Sequence, residues 1–218
     1  MSLEDDEADL KRPLLTLIAV GALAYASVAS AAATEIKIRD SSFFPRTPPV
    51  RNLATGSSFH WQRAPGSTSP HNVHQDFNLF NSGAATSGPI NFSVRASAGT
   101  YHYYCTVHGS PSGGMDGVVK VRPIFASAPD GAPFTVRWAL PGTTTGTTTG
   151  NQFDVRYRVG TSGTWTLWRN DSSLRVAVFG QNGQPVQVMP GLTYQFQARS
   201  QNTPSKPSGW SPALTVNP

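Results

Sequence analysis

The sequence predicts an all-β chain in which two successive sandwich-like units follow a short leader. Three observations carry that prediction. Of 218 residues only 13% are charged while 20 are glycine and 18 proline, a composition that suits short strands joined by turns. Beyond residue 33 no stretch carries apolar residues at helical spacing for three turns, whereas period-two alternation recurs throughout. The length is also enough for two cores of ordinary size.

Residues 1–33 read as a signal peptide or membrane anchor. Lys11 and Arg12 precede an uncharged run from Pro13 to Ala33 that ends in Ala29-Ser30-Ala31. A basic region, an apolar core and an Ala-x-Ala exit describe a secretory signal; about 20 such residues are also enough to span a bilayer. Alanine content and the exit site favour cleavage. Either way the remainder is placed outside the cytoplasm: secreted, periplasmic or on the cell surface. The chain holds 17 basic and 12 acidic residues, of which the leader takes two and five, leaving 15 against 7, or about +8. The arginines are dispersed along the sequence, which does not make a nucleic-acid stripe.

The first unit is expected over 34–122. Ile36 and Ile38 alternate with Lys37 and Arg39 as a half-buried first strand, and Ser42 to Pro49, with three prolines, reads as a loop. Thr55-Gly56 turns into a strand in which Phe59 and Trp61 share a face opposite His60. Ile90 to Val94 repeats the pattern, Ala98-Gly99 breaks it, Thr100 to Cys105 resumes it, and Gly117 to Val121 closes the unit. The second unit is expected over 123–218. Its strands include Thr135 to Trp138, Phe153 to Val159 and Thr193 to Arg199; Thr143 to Gly150 is low-complexity loop. Pro190-Gly191-Leu192 is a turn, and Ser208-Gly209-Trp210-Ser211-Pro212 precedes the last strand.

Cys105 is the sole cysteine, so no intrachain disulfide can form. A lone thiol in an exported chain needs a reason such as a metal, although burial alone is the plainer account of an isolated cysteine. Three further residues change that balance: His71, His108 in Cys-x-x-His spacing, and Met115. A thiolate, two imidazoles and a weak thioether are the donor set of a blue-copper centre. Strand parity sorts the other histidines. Tyr101, Tyr103 and Cys105 share one face, which turns His102 away; His60 opposes the core; His71 and His74 are three apart and point to opposite sides. His71, set in Pro-His-Asn-Val, is the better candidate, because Asn72 can hydrogen-bond across to the Cys105 loop. Other classes are excluded by counting. A binuclear copper centre needs two cysteines, multicopper oxidases need His-x-His pairs, and zinc gives Met115 no role. No catalytic triad, carboxylate pair, P-loop or dinucleotide fingerprint is present.

Pro70-His71-Asn72-Val73, Gly99-Thr100-Tyr101-His102-Tyr103-Tyr104-Cys105-Thr106-Val107-His108 and Met115-Asp116-Gly117-Val118-Val119 resemble the plastocyanin branch of the cupredoxins. The likeness covers Glu35 to Arg122. It implies a Greek-key β-barrel or sandwich, one type 1 copper ion, one-electron transfer without a substrate to turn over, His71, Cys105 and His108 as equatorial ligands and Met115 as the axial one. The loop between His108 and Met115 is longer than the common plastocyanin pattern, which makes Met115 the least secure ligand. Residues 123–218 resemble a fibronectin type III module, an immunoglobulin-like β-sandwich, through Trp138, Tyr157 and Pro190-Gly191-Leu192-Thr193-Tyr194. That resemblance implies a tyrosine corner at Tyr194. The functional expectation is a blue-copper electron carrier of the cell envelope that meets a redox partner protein, its second unit serving as spacer or docking element. The alternatives are a copper-storing or adhesion protein with a structural metal, and an accessory domain of a larger redox enzyme. Nucleic acid is not expected as a partner, and a membrane only through an uncleaved leader.

Overall fold

The computed structural model describes residues 33–47, 53–126, 130–141, 152–203 and 205–218. Residues 1–32 of the leader and the Thr143–Gly150 segment lie outside the described residues. The chain is all-β. The described helical content is a single 3₁₀ turn at Gln181–Gly183, and no described helix is long and apolar enough to cross a membrane.

Seven strands build the first core: β1 (Thr34–Arg39), β2 (Ser42–Phe44), β3 (Ser58–Arg63), β4 (His74–Gln75), β5 (Asn91–Arg95), β6 (Gly99–Ser110) and β7 (Gly113–Val121). They form two sheets, β2-β1-β3-β5 and β4-β6-β7. β1 and β3 are parallel; the other pairs are antiparallel. The chain changes sheet between β3 and β4, between β4 and β5 and again between β5 and β6, so neighbours in sequence are separated in space, as Greek-key connections require. Part of the segment expected as loop, Ser42–Phe44, pairs with β1 instead. Phe43 is buried there and meets Tyr103 edge-on at 4.9 Å, so one inward aromatic outweighs the prolines that follow.

Alternation in the sequence becomes burial. Ile36, Ile38, Phe59, Trp61, Tyr101, Tyr103 and Cys105 are all fully buried, and their strand neighbours are not. The two sheets are joined by a T-shaped contact of Trp61 with Tyr103 at 5.2 Å, worth about 0.5–1.5 kcal/mol beyond area burial.

The second core uses β8 (Ile124–Phe125), β9 (Phe134–Arg137), β10 (Gln152–Val159), β11 (Thr166–Ser172), β12 (Val176–Phe179), β13 (Tyr194–Gln201) and β14 (Leu214–Val216). Its antiparallel sheets are β12-β9-β8 and β11-β10-β13-β14. Trp138 is buried and donates from Nε1 to the Leu174 carbonyl at 2.7 Å. The Tyr194 hydroxyl accepts the Met189 N–H at 3.0 Å and donates to the Gln187 carbonyl at 3.4 Å, tying the turn to β13.

Dispersed in sequence, three arginines are gathered in space. On the outer face of the larger sheet Arg158 lies over Trp165, Arg156 over both Trp165 and Trp210, and Arg199 over Trp210, at 4.2–4.8 Å from the ring centroids. Gln195, Gln197 and Asp154 accept from their Nε atoms. Strand spacing of two residues puts Asp154, Arg156 and Arg158 of β10 and Gln195, Gln197 and Arg199 of β13 on one face.

The two cores touch along the start of β6. Thr100 and Gly209 exchange backbone hydrogen bonds at 2.9 Å, and the Ala98 N–H reaches the Trp138 carbonyl at 2.7 Å. The Tyr101 hydroxyl lies 3.0 Å from both Ser97 Oγ and Ser200 Oγ, wholly buried. Burial pushes its pKa up to about 12, so it stays a hydrogen-bonding phenol at any ordinary pH.

Candidate metal centre

β6 is the rail on which the centre is built. Its inward face runs Tyr101, Tyr103, Cys105, and the thiol emerges at the far end of the core, fully buried. Cys105 Sγ lies 3.7 Å from His71 Nδ1 and 3.6 Å from His108 Nδ1, and the three donor atoms sit within 4.8 Å of one another. The imidazoles face each other with centroids 4.8 Å apart. His71 is fully buried, while His108 is the most exposed of the three.

Met115 arrives by register. Tyr104 pairs with Asp116 and Gly109 with Gly114, so the four residues Cys105 to His108 on β6 stand opposite Met115 alone on β7. This four-against-one bulge holds both Cys105 and His108, and Met115 opposite it is buried. The long loop is a hairpin: Ser110 pairs with Gly113, with Gly113 and Gly114 at positive φ of 146° and 90°. The additional residues therefore extend the β6–β7 ladder beyond the site and leave Met115 opposite the Cys105–His108 bulge. Gly109 is required by packing, since a Cβ there would stand 2.6 Å from the Met115 carbonyl oxygen.

Asn72 stitches the His71 segment to the Cys105 loop. Its Oδ1 accepts the Thr106 N–H at 2.8 Å, and its Nδ2 donates to the Gly83 carbonyl at 3.0 Å. His71 itself is held by paired backbone bonds to Thr86, both 2.9 Å. Burial, then repulsion from His108 and Arg63, lowers its pKa; the neutral imidazole so favoured is the form that binds a metal.

The remaining histidines lie apart from this cluster. His60 is hydrogen-bonded to Asn91, the His74 ring meets Tyr104 at 5.4 Å, and His102 bridges Asp76 and Asp116 at 2.8 and 3.0 Å. Sequence reasoning missed two residues. Asp40, at the end of β1, has a carboxylate oxygen 3.6 Å from His71 Nε2; Arg63 gathers the loop that leads to His71. Both act through distant loop backbone, so no local spacing marks them. The N–H groups of Ser69 and Thr68 and the Ser67 hydroxyl hold the Asp40 carboxyl well below the ordinary carboxylate range.

The donor set fits a soft or borderline metal ion. Metal–sulfur and metal–nitrogen bonds of about 2.3 and 2.05 Å, opened to roughly 110–120°, place sulfur and nitrogen about 3.6–3.8 Å apart. The observed N···S separations lie in that range. The site is closed to water on the His71 side.

No protein-family model and no curated protein matches the chain. Solved structures that align with it include a cytokine receptor complex, at 15% identity and TM-score 0.32 over 68% of this chain and 86% of that one. Another contains a group of titin domains, at 12% identity and TM-score 0.30 over 85% of this chain and 61% of that one. Likeness at this level carries no argument about function.

Proposed function

We propose that the chain is a type 1 copper protein of the extracytoplasmic space, in which His71, Cys105 and His108, with Met115 as the weaker fourth donor, would hold the metal. The observation that carries this reading is the convergence of one buried thiol and two imidazole nitrogens at 3.6–3.7 Å, with the buried Met115 opposite Cys105 to His108 in the β6–β7 register. Copper, when bound, supplies a one-electron couple. The chain's own residues supply the rest. Cys105 would bind as the thiolate, its proton released to solvent. The ladder on either side of the bulge and the Asn72–Thr106 bond hold the donor residues in place, so a bound ion would meet a preformed site. His108, the least buried ligand, offers the short route to a partner protein.

The reading is tested by colour. Mature protein given one equivalent of Cu(II) is expected to turn intensely blue through thiolate-to-copper charge transfer, and Cys105→Ser to stay colourless. A colourless wild-type complex sinks the blue-copper reading. Reversible voltammetry with fast self-exchange is the expected behaviour of a carrier; a bound but electrochemically silent metal would instead mark a copper store.

A further inference from the structure

His71 turns one nitrogen toward Cys105 and leaves the other unaccounted for. Nδ1 faces the sulfur, so an imidazole that binds metal there carries its proton on Nε2. His71 Nε2 is buried and has no hydrogen-bond partner. A buried donor left without a partner destabilises the fold. The acceptor within reach is Asp40 Oδ1, at 3.6 Å.

That carboxylate is held in place. The same oxygen accepts from the Thr68 N–H at 2.8 Å, the Ser67 hydroxyl at 2.9 Å and the Ser69 N–H at 3.0 Å. From the other side Arg63 donates to the carbonyls of Ser67, Ser69 and Gly88 at 3.2, 2.9 and 2.9 Å, and to the Thr86 carbonyl that also accepts the His71 N–H. Amides of the 67–69 turn are thus gathered by Asp40 and its carbonyls by Arg63. The turn ends two residues before His71, so carboxylate and imidazole belong to one braced unit. A closing movement of about 0.5 Å brings Nε2 and Oδ1 into ordinary hydrogen-bond range.

We propose that Asp40 is the positioning residue of the centre: its carboxylate accepts the Nε2 proton of His71, fixes the tautomer that presents Nδ1, and strengthens that nitrogen as a donor to the oxidised metal. The redox consequence rests on the copper reading above; the tautomer does not. A carboxylate behind a ligand histidine raises its basicity, and losing such a partner typically weakens metal binding about 10- to 100-fold. The loss should fall mainly on the more highly charged ion.

The test uses the full mature chain labelled with 15N. In metal-free protein, and in the Cu(I) form, His71 is expected to carry its proton on Nε2, protected from solvent exchange. Asp40→Ala should abolish the protection, and Asp40→Asn should weaken Cu(II) about 10- to 100-fold more than Cu(I). Each tenfold of that selectivity raises the reduction potential by about 59 mV. Asp40→Glu, which keeps the carboxylate, should recover part of the shift. A wild-type His71 protonated on Nδ1 overturns the proposal; so do folded Asp40 variants with unchanged proton protection and an unchanged Cu(II)/Cu(I) affinity ratio. If the variants do not fold, the wild-type tautomer decides. If the protein takes up no copper, the copper reading fails while the tautomer measurement still judges Asp40.

Discussion

Asn72 is one side chain with two obligations, and it makes the site's preorganisation measurable. Replacing it with Ala removes the acceptor of the Thr106 N–H and the donor to Gly83. Asn72→Ala is expected to destabilise the metal-free protein by about 1–3 kcal/mol, read by urea denaturation, and to broaden the charge-transfer band of the copper form. A band and a midpoint both unchanged would deny Asn72 its role. Asn72 was legible beforehand because it adjoins His71 in Pro-His-Asn-Val, and Cys105 and His108 because strand parity and Cys-x-x-His spacing are local. Asp40 was not legible. It meets His71 only because β1 and the 67–69 turn are folded together, and nothing in the order of residues around it announces a histidine thirty-one positions on.

Among the elements, the β6–β7 hairpin decides how firmly Met115 is placed. From sequence its length counted against Met115; the register shows the added residues pairing with one another beyond the bulge. Gly109→Ala should cost about 1–3 kcal/mol, the usual scale of overpacking, because the new methyl would press on Met115 backbone. The same variant should shift the colour of the copper form, and a wild-type spectrum in it would argue against Met115 as a ligand. The hairpin also carries a pH-dependent tie. Burial opposes the charged His102 ring, but the hydrogen bonds it donates to Asp116 and Asp76 outweigh that cost and raise its pKa above the ordinary histidine value. A histidine whose folded pKa is raised contributes stability fully below its unfolded pKa and loses it as pH rises through the folded value. Wild type should therefore exceed His102→Gln in melting temperature at pH 5.5, and the gap should close as the pH is raised past the folded pKa of His102. A gap that widens with pH would contradict the assignment.

At the scale of the whole molecule, two cores were readable from alternation and turn chemistry, but their junction was not. Residues at strand ends, Ser97 to Thr100 and Ser208 to Gly209, have no periodicity to betray a partner. Cutting the chain after Arg122 removes Ser200, Gly209 and the Trp138 carbonyl from the start of β6 and opens Ala98, which packs with the second core, to water. The fragment 34–122 is expected to melt below the full mature chain, and the intact protein to unfold in one calorimetric transition. Two separate transitions, one matching the fragment, would show that the junction adds nothing. Gly99 sharpens the point, since a Cβ there would meet Ser208 Oγ at 2.7 Å and the Tyr101 ring at 2.8 Å. The strand that carries Cys105 thus begins inside its neighbour's wall. For anyone wishing to transplant the metal half into another protein, the natural cut site is the wrong one: the graft must bring a substitute for Ser200 and Gly209, or be resurfaced where they were.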